Sequence, residues 1–293
     1  LSLERLGHEV FRFDEDTFNT DPLVNNINSV IATEPDIVMY AKLEVPNRMD
    51  VIRVLKSKDI KTVSWYPDYC NVGTWENTTL LMNDLENCPI ANSDYVFLPD
   101  NTNKAKWNSI KVNQYCVRQG IYDGECYEGK KDNNFNKDIL FTGSINYTLY
   151  KYRIPLIQFL QKEYGDRFIH IGAADCNELR NDELNNAIAS VKIVLGDSVY
   201  APEYWSNRIY ETIGRGGFCL HSYTEGIDVE YKVGEHFDVY ERNNYQDLKA
   251  KIDFYLENDT LRKNIAQQGM KYTIDNHTLL NRAKRVMEII NEN

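Results

Sequence analysis

The six cysteines (Cys70, Cys88, Cys116, Cys126, Cys176 and Cys219) include no CxxC pair. Several lie in apolar runs, so the reading is reduced, mostly buried thiols rather than a disulfide framework or a zinc site. No apolar run approaches the ~18–20 residues of a membrane span, and no stretch reads as a signal peptide, so the chain reads as cytoplasmic. Positive charge is in short supply: 33 basic residues stand against 44 acidic ones, a formal net charge of −11. A negative chain repels nucleic acid and anionic membrane, which argues against a broad polyanion-binding surface and leaves room for a local basic pocket. Internal repeats and low-complexity tracts are missing as well, which excludes solenoids and disordered arrays.

What is present is core material. Of the 293 residues 42% are hydrophobic, enough for two α/β domains of about 130–150 residues each. In the first half, short β-rich runs alternate with helical stretches. Val10–Phe13, Pro35–Tyr40, Thr62–Tyr66, Ile90–Asn92, Tyr95–Leu98 and Asn113–Val117 read as strands. Leu23–Ala32, Asn47–Ser57 and a stretch around Lys104 read as helices. Such alternation predicts βαβ units and a parallel sheet covered on both faces. Leu1–Val10 reads as the end of a helix, a glycine and a strand, so a first strand is expected upstream of it. Between Gln119 and Lys137 the composition shifts to Gly, Asp, Asn and Lys, the best candidate for an interdomain linker.

The alternation then restarts. Asp138–Thr142, Phe168–Ile171, Val191–Leu195 and Phe218–Leu220 read as strands, and Tyr150–Glu163 and Tyr204–Ile213 as helices. From Asp247 the chain is almost entirely helical. The expected organisation is an N-terminal Rossmann-like domain over residues 1–130, a second over 131–275, and a C-terminal helix over 276–293 that packs back on the first.

The informative stretch is Ala201–Leu220. Pro202 and Glu203 sit where a helix would begin, and a glutamate there suits the positive end of the helix dipole. Arg208 and Glu211 are three apart and share a helix face. A glycine-rich turn, Gly214–Gly217, then feeds a strand. Free N–H groups at such a helix start, together with the fork of Arg208, suit a diphosphate. Glu211 has the spacing to accept both hydroxyls of a ribose, and Glu203 those of a sugar. The same residues also fit a plain surface helix with a cap and an Arg–Glu pair.

Glu203-x7-Glu211 followed by the glycine turn and Phe218-Cys219-Leu220 resembles the E-x7-E segment of retaining group 1 (GT4-like) glycosyltransferases with the GT-B fold. The version Ser206-Asn207-Arg208-Ile209-Tyr210-Glu211 is most similar to the CgeB-like, spore-maturation branch. Asp138–Ser144 with Arg153 resembles the first strand and phosphate-side loop of that family's C-terminal domain. Glu225-Gly226, Asp259–Arg262, Gly269 and His277–Arg285 resemble its later loop and closing helices. The resemblance is good from about residue 138 onward and thin before it. It implies two Rossmann-like domains across a cleft, a donor site in the second and an acceptor site in the first. The implied donor is a nucleotide-diphosphate sugar, UDP or GDP based, with retention of configuration and no bound cofactor or metal. Asp14-Glu15-Asp16, the nearest approach to a metal-binding DxD motif, reads as a polar loop. The residues expected at the donor are Gly143, Ser144, Ser206, Asn207, Arg208, Glu211, His221 and Glu225. Glu203 and Arg208 are expected in catalysis, with Asp68, after the strand ending in Trp65-Tyr66-Pro67, as a further cleft group. His8 and His236 read as surface or capping residues, and His170 as a buried, satisfied one. The acceptor, whether glycan, protein or small molecule, is left open, with nucleic acid disfavoured by the net charge but not excluded. So are two rival functions: a nucleotide-sugar epimerase of the same fold, and a non-catalytic binding protein built on a degenerate transferase.

Overall fold

The computed structural model describes residues 2–13, 23–41, 48–69, 88–109, 111–145, 152–172 and 178–292. They form two compact Rossmann-like α/β units, residues 1–118 with 282–293 and residues 119–281.

The first unit contains α1 (Ser2–Arg5), α2 (Leu23–Ile31), β1 (Ile37–Tyr40), α3 (Arg48–Ser57), β2 (Lys61–Trp65), α4 (Pro89–Asn92), β3 (Tyr95–Leu98), α5 (Lys104–Ser109) and β4 (Gln114–Cys116). Its sheet is parallel throughout, in the order β1-β2-β3-β4. Every residue of β3 is buried, as a strand covered on both faces requires. Alternation along it sends Tyr95 and Phe97 to a cluster with Val286, Ile289 and Ile290, and Val96 and Leu98 to one with Trp107.

Two sequence expectations fail in this unit. Ile90–Asn92 is a helical turn rather than a strand: Pro89 opens it, and the Sγ of Cys88 accepts from the Ala91 amide. Val10–Phe13 forms no strand either, although its composition is β-rich. It lines, with the Ile37–Ala41 edge of the sheet, a groove of about 730 Å³, and pairs with no strand among the described residues. Phe11 and Phe13 are left largely exposed. The expected polar loop at Asp14–Asp16 lies outside the described residues, as do Cys70 and Cys176. The other four cysteines are free thiols, two of them buried.

The second unit runs β5 (Ile139–Thr142), α6 (Arg153–Tyr164), β6 (Phe168–Ile171), α7 (Asn181–Ser190), β7 (Ile193–Gly196), α8 (Arg208–Gly214), β8 (Cys219–Ser222), β9 (Asp238–Tyr240), α9 (Tyr245–Glu257) and α10 (Asp259–Asn276). The sheet is again wholly parallel, in the order β6-β5-β7-β8-β9. From β5 the chain moves outward to β6, then crosses back to β7 on the other side of β5. The strand order therefore reverses between β5 and β7, the position where open α/β sheets bind ligands beyond their carboxyl ends. The last helix, α11 (Leu279–Glu292), counts with the first unit from Arg282 onward.

The Gln119–Lys137 stretch, the candidate interdomain linker, is fastened to the second unit. Asn185 Nδ2 donates to the carbonyls of Glu125 (3.1 Å) and Tyr127 (2.8 Å), Lys130 N to Asn186 Oδ1, and Asp132 N to Ser190 Oγ. Turn-forming composition is what a strap of short 3-10 turns needs too, and the side chains that tie it down lie on α7, some sixty residues away.

No helix among the described residues is long and apolar enough to cross a membrane.

Candidate functional site

The carboxyl end of the second sheet gathers charge at its switch point. Gly143 and Ser144 follow β5, Asp197 and Ser198 follow β7, His221 lies one residue before the end of β8 and Arg242 follows β9. Two helices each contribute their first residue, Arg153 from α6 and Arg208 from α8.

Asp197 is the hub. Its Oδ2 accepts from Arg153 Nε at 2.7 Å and its Oδ1 from Arg208 Nη1 at 2.9 Å, with the carboxylate 3% exposed. Arg153 Nη1 also donates to the Ser144 carbonyl at 2.9 Å. Both guanidinium groups lie over the Phe141 ring. Both abut Gly143: a Cβ there would stand 2.7 Å from Arg208 Nη2 and 3.3 Å from Arg153 Nη1. Burial pushes the Arg208 pKa down, and the Asp197 carboxylate works against that shift. Tyr152, beside this group, has its hydroxyl pushed up to about 12, first by burial and then by Asp197.

The backbone of the loop makes room for these side chains. A Cβ on Gly172 would meet the backbone of Gly143 at 2.9–3.1 Å, and Gly172 has φ +104°. Only glycine permits that approach. His170 Nε2 donates to the Gly143 carbonyl at 2.8 Å and holds the loop from below; the half-buried ring is satisfied there.

His221 is fully buried. Its Nδ1 donates to the Ser222 carbonyl at 2.7 Å, which leaves Nε2 to accept from the Ser198 hydroxyl at 3.3 Å. Ser198 Oγ accepts in turn from the Ser206 amide at 2.8 Å. Burial pushes the imidazole down to about 4, so it is neutral at ordinary pH. His221 therefore positions the 198–206 loop through Ser198.

Helix α8 begins at Arg208, four to six residues later than the sequence suggests. The side chains upstream explain the delay. Ser206 N and Oγ bond Ser198 Oγ and the Asp197 carbonyl, and Trp205 Nε1 donates to the Tyr210 hydroxyl. These bonds compete with helix formation. Positive charge at the site consequently comes from arginine side chains rather than from a long helix.

Glu203 lies in that irregular stretch at φ +57°. Its amide donates to the Glu225 carbonyl at 2.9 Å, and Gly226 packs against its side chain. Glu225 is exposed, as is Asn207, the residue capping α8. Glu211 takes another direction from Arg208. Its carboxylate ion-pairs with Arg215, whose guanidinium also holds Glu125 of the strap. Burial pushes the Glu211 pKa up, with Arg215 opposing.

The expected residues thus fall into four places. Gly143, Ser144, Ser206, Arg208 and His221 meet around Asp197. Glu203 sits against Glu225-Gly226. Glu211 sits with Arg215 and Glu125. Asp68 follows β2 and belongs to the first unit. Sequence reasoning missed two residues. Asp197 had a signal, an acid directly after the buried run Ile193–Gly196. Arg242 had none, because β9 is three residues long and reads as loop. Arg242 Nη1 donates to the Ser198 carbonyl at 3.0 Å, its buried Nε has no hydrogen-bond partner among the described residues, and the guanidinium lies over the Tyr200 ring. Among the described residues no group of three or more His, Cys, Asp or Glu side chains is placed to hold a metal ion.

Two parallel Rossmann-like units, one with a cationic switch point, define a GT-B fold. Residues 153–288 match the family model described as glycosyl transferase-like. Solved structures agree on the fold over nearly the whole chain. HepE of Anabaena, solved with UDP-glucose, aligns with a TM-score of 0.65 at 12% identity, covering 93% of this chain and 84% of its own. An alpha-glucosyltransferase solved with UDP-glucose and DNA containing an abasic site gives 0.67 at 11%, covering 92% and 84%. Sucrose-phosphate synthase of Thermosynechococcus elongatus gives 0.64 at 12%, covering 97% and 80%. No curated protein matches the chain.

Proposed function

We propose that the protein is a glycosyltransferase that moves a hexose from a nucleotide-diphosphate sugar, UDP or GDP based, to an acceptor hydroxyl, with retention of configuration. The observation that carries this reading is the pair of arginines meeting at Gly143, Arg153 buried and Arg208 partly so, where the strand order of the second sheet reverses. Arg153, Arg208 and Arg242 bring three positive charges and Asp197 removes one. A diphosphate ester carrying two negative charges is complementary to the balance. When the bond from the sugar's anomeric carbon to the diphosphate oxygen breaks, the departing electron pair adds charge to the diphosphate. The arginines are already oriented to receive it, which is where such a site lowers the barrier. The acceptor oxygen bonds to the anomeric carbon on the face the diphosphate leaves, and its proton passes to the departing diphosphate oxygen. Arginines do here what a divalent cation does in other phosphate sites, so the reaction is proposed to need none.

Glu211 is proposed for the ribose hydroxyls and Glu203 for those of the sugar. For Glu211 this requires its carboxylate to turn away from Arg215, and Glu125 remains to pair that guanidinium when it does. Gly143, Ser144, Ser206 and Asn207 line the donor in this reading, His221 supports it through Ser198, and Glu225 backs Glu203. The acceptor is proposed to be a glycan, a protein or a small molecule, ahead of nucleic acid, and Asp68 is proposed to serve it. The enzyme is proposed to work in the cytoplasm. The solved neighbours bound to UDP-glucose support a nucleotide-sugar donor, and the resemblance of Glu203-x7-Glu211 to the group 1 segment supports retention.

The test is calorimetry with UDP, GDP and their sugars, followed by product analysis with and without acceptor. Binding of one nucleoside diphosphate, lost in Glu211→Ala, is expected. A protein that binds none would be a scaffold, and one that isomerises the sugar without any acceptor an epimerase; either outcome overturns the reading.

A further inference from the structure

We infer that Asp197 is the positioning residue of the diphosphate site, the group that sets the spacing of its two arginines and so selects a diphosphate over a monophosphate. The inference rests on the donor-site reading above and goes beyond it, since Asp197 acts through the two arginines its carboxylate holds.

Its place in the fold is the first reason. Asp197 directly follows β7, one of the two strands between which the strand order reverses, and its side chain is almost fully buried. Its bonding is the second. The two carboxylate oxygens are divided between two arginines from different helices, Oδ2 to Arg153 Nε and Oδ1 to Arg208 Nη1. The Asp197 carbonyl accepts as well, from Arg208 Nη1 and Ser206 Oγ, each at 3.0 Å. One residue therefore fixes α6, α8 and the 198–206 loop to the end of a central strand.

The consequence for the guanidinium groups is geometric. Arg208 Nη1 is occupied by Asp197, whereas its Nη2 lies against Gly143 and donates to no described residue. Like charges this close repel, and each destabilises the other's ionised form. A carboxylate between them cancels the repulsion and locks both forks in one orientation. Neutralising Asp197 leaves the site more cationic and less ordered. Attraction for any anion rises, while the match to two linked phosphates is lost.

That pair of opposite effects separates positioning from a merely structural role. The experiment is calorimetry of the full chain and of Asp197→Asn with UDP and UMP (GDP and GMP if the guanine nucleotides are the ones bound), at low and high salt. The wild-type chain is expected to prefer the diphosphate by at least about tenfold. In Asp197→Asn the preference is expected to shrink about tenfold, with monophosphate affinity held or increased and a steeper loss of binding as salt rises. An unchanged preference, whether both affinities stay or both fall together, overturns the inference. Should Asp197→Asn fail to fold, Asp197→Glu keeps the charge and displaces it by one methylene. A reduced diphosphate preference in that variant supports positioning, and a wild-type preference refutes it. A wild-type chain that binds no nucleoside diphosphate defeats the donor-site reading itself, an outcome distinct from an unchanged ratio.

Discussion

Arg208 carries more of the proposed chemistry than any other side chain, and its bonds define what its loss does. Arg208→Ala leaves Asp197 paired with Arg153, so the fold survives while one fork of charged donors disappears. Hydrogen bonds to charged groups contribute about 1.5–3 kcal/mol. UDP affinity measured by calorimetry is therefore expected to fall by about ten- to a hundredfold. His221 gives a second prediction at this scale, in pH. Its folded-state value, near 4, lies below the ordinary value of 6.5. As pH falls through 6.5 the unfolded chain takes up a proton that the folded one refuses, so the stability held by this group is complete above 6.5 and is lost between 6.5 and about 4. At about 1.4 kcal/mol per pH unit, roughly 2 kcal/mol goes between pH 6.5 and 5. Urea unfolding at pH 7 and pH 5 is expected to show this loss in the wild-type chain and not in His221→Gln. Equal losses in the two would mean that another group is responsible.

Elements place these residues, and here the sequence was legible in part. Eight of the nine strands among the described residues stand within about two residues of their β-rich runs, because a strand buried on both faces needs a continuous apolar stretch such as Ile139–Phe141 or Ile193–Leu195. The start of α8 was not legible, since it is set by Ser198, Asp197 and Tyr210, partners that no local pattern names. Nor was β9, whose Asp238 is held by Lys251 and Tyr255 of α9. Arg208 and Gly143 were legible as candidates, while their meeting beside Asp197 was not, because the two lie 65 positions apart in the chain (208 − 143). Glycines at the strand ends supply the test at this scale. A Cβ on Gly196 would stand 2.3 Å from His221 Cδ2. Gly196→Ala is expected to cost about 1–3 kcal/mol by overpacking and to displace the 198–206 loop. Denaturant unfolding reads the first effect and weakened UDP binding the second.

At the scale of the molecule, two cores coexist in one chain. The second is organised around Ile139, Phe141, Leu195 and Leu220, and the first around β2 and β3 with Val286, Ile289 and Ile290 of α11. The chain thus returns at its end to complete the unit it began with. Ile290→Ala removes buried apolar volume from the first unit alone and is expected to lower its stability by about 2–5 kcal/mol, read by calorimetric melting. On the proposed donor site, a nucleoside diphosphate is expected to raise the melting of the second unit, by about 2.7 kcal/mol at a hundredfold excess over Kd. The central claim, that the switch point of the second sheet holds the diphosphate of a nucleotide sugar, is tested most directly by a crystal structure with UDP bound. The account predicts both phosphates within hydrogen-bond reach of Arg153 or Arg208 beside Gly143. Phosphates lodged elsewhere, with the two arginines still turned wholly toward Asp197, would contradict it.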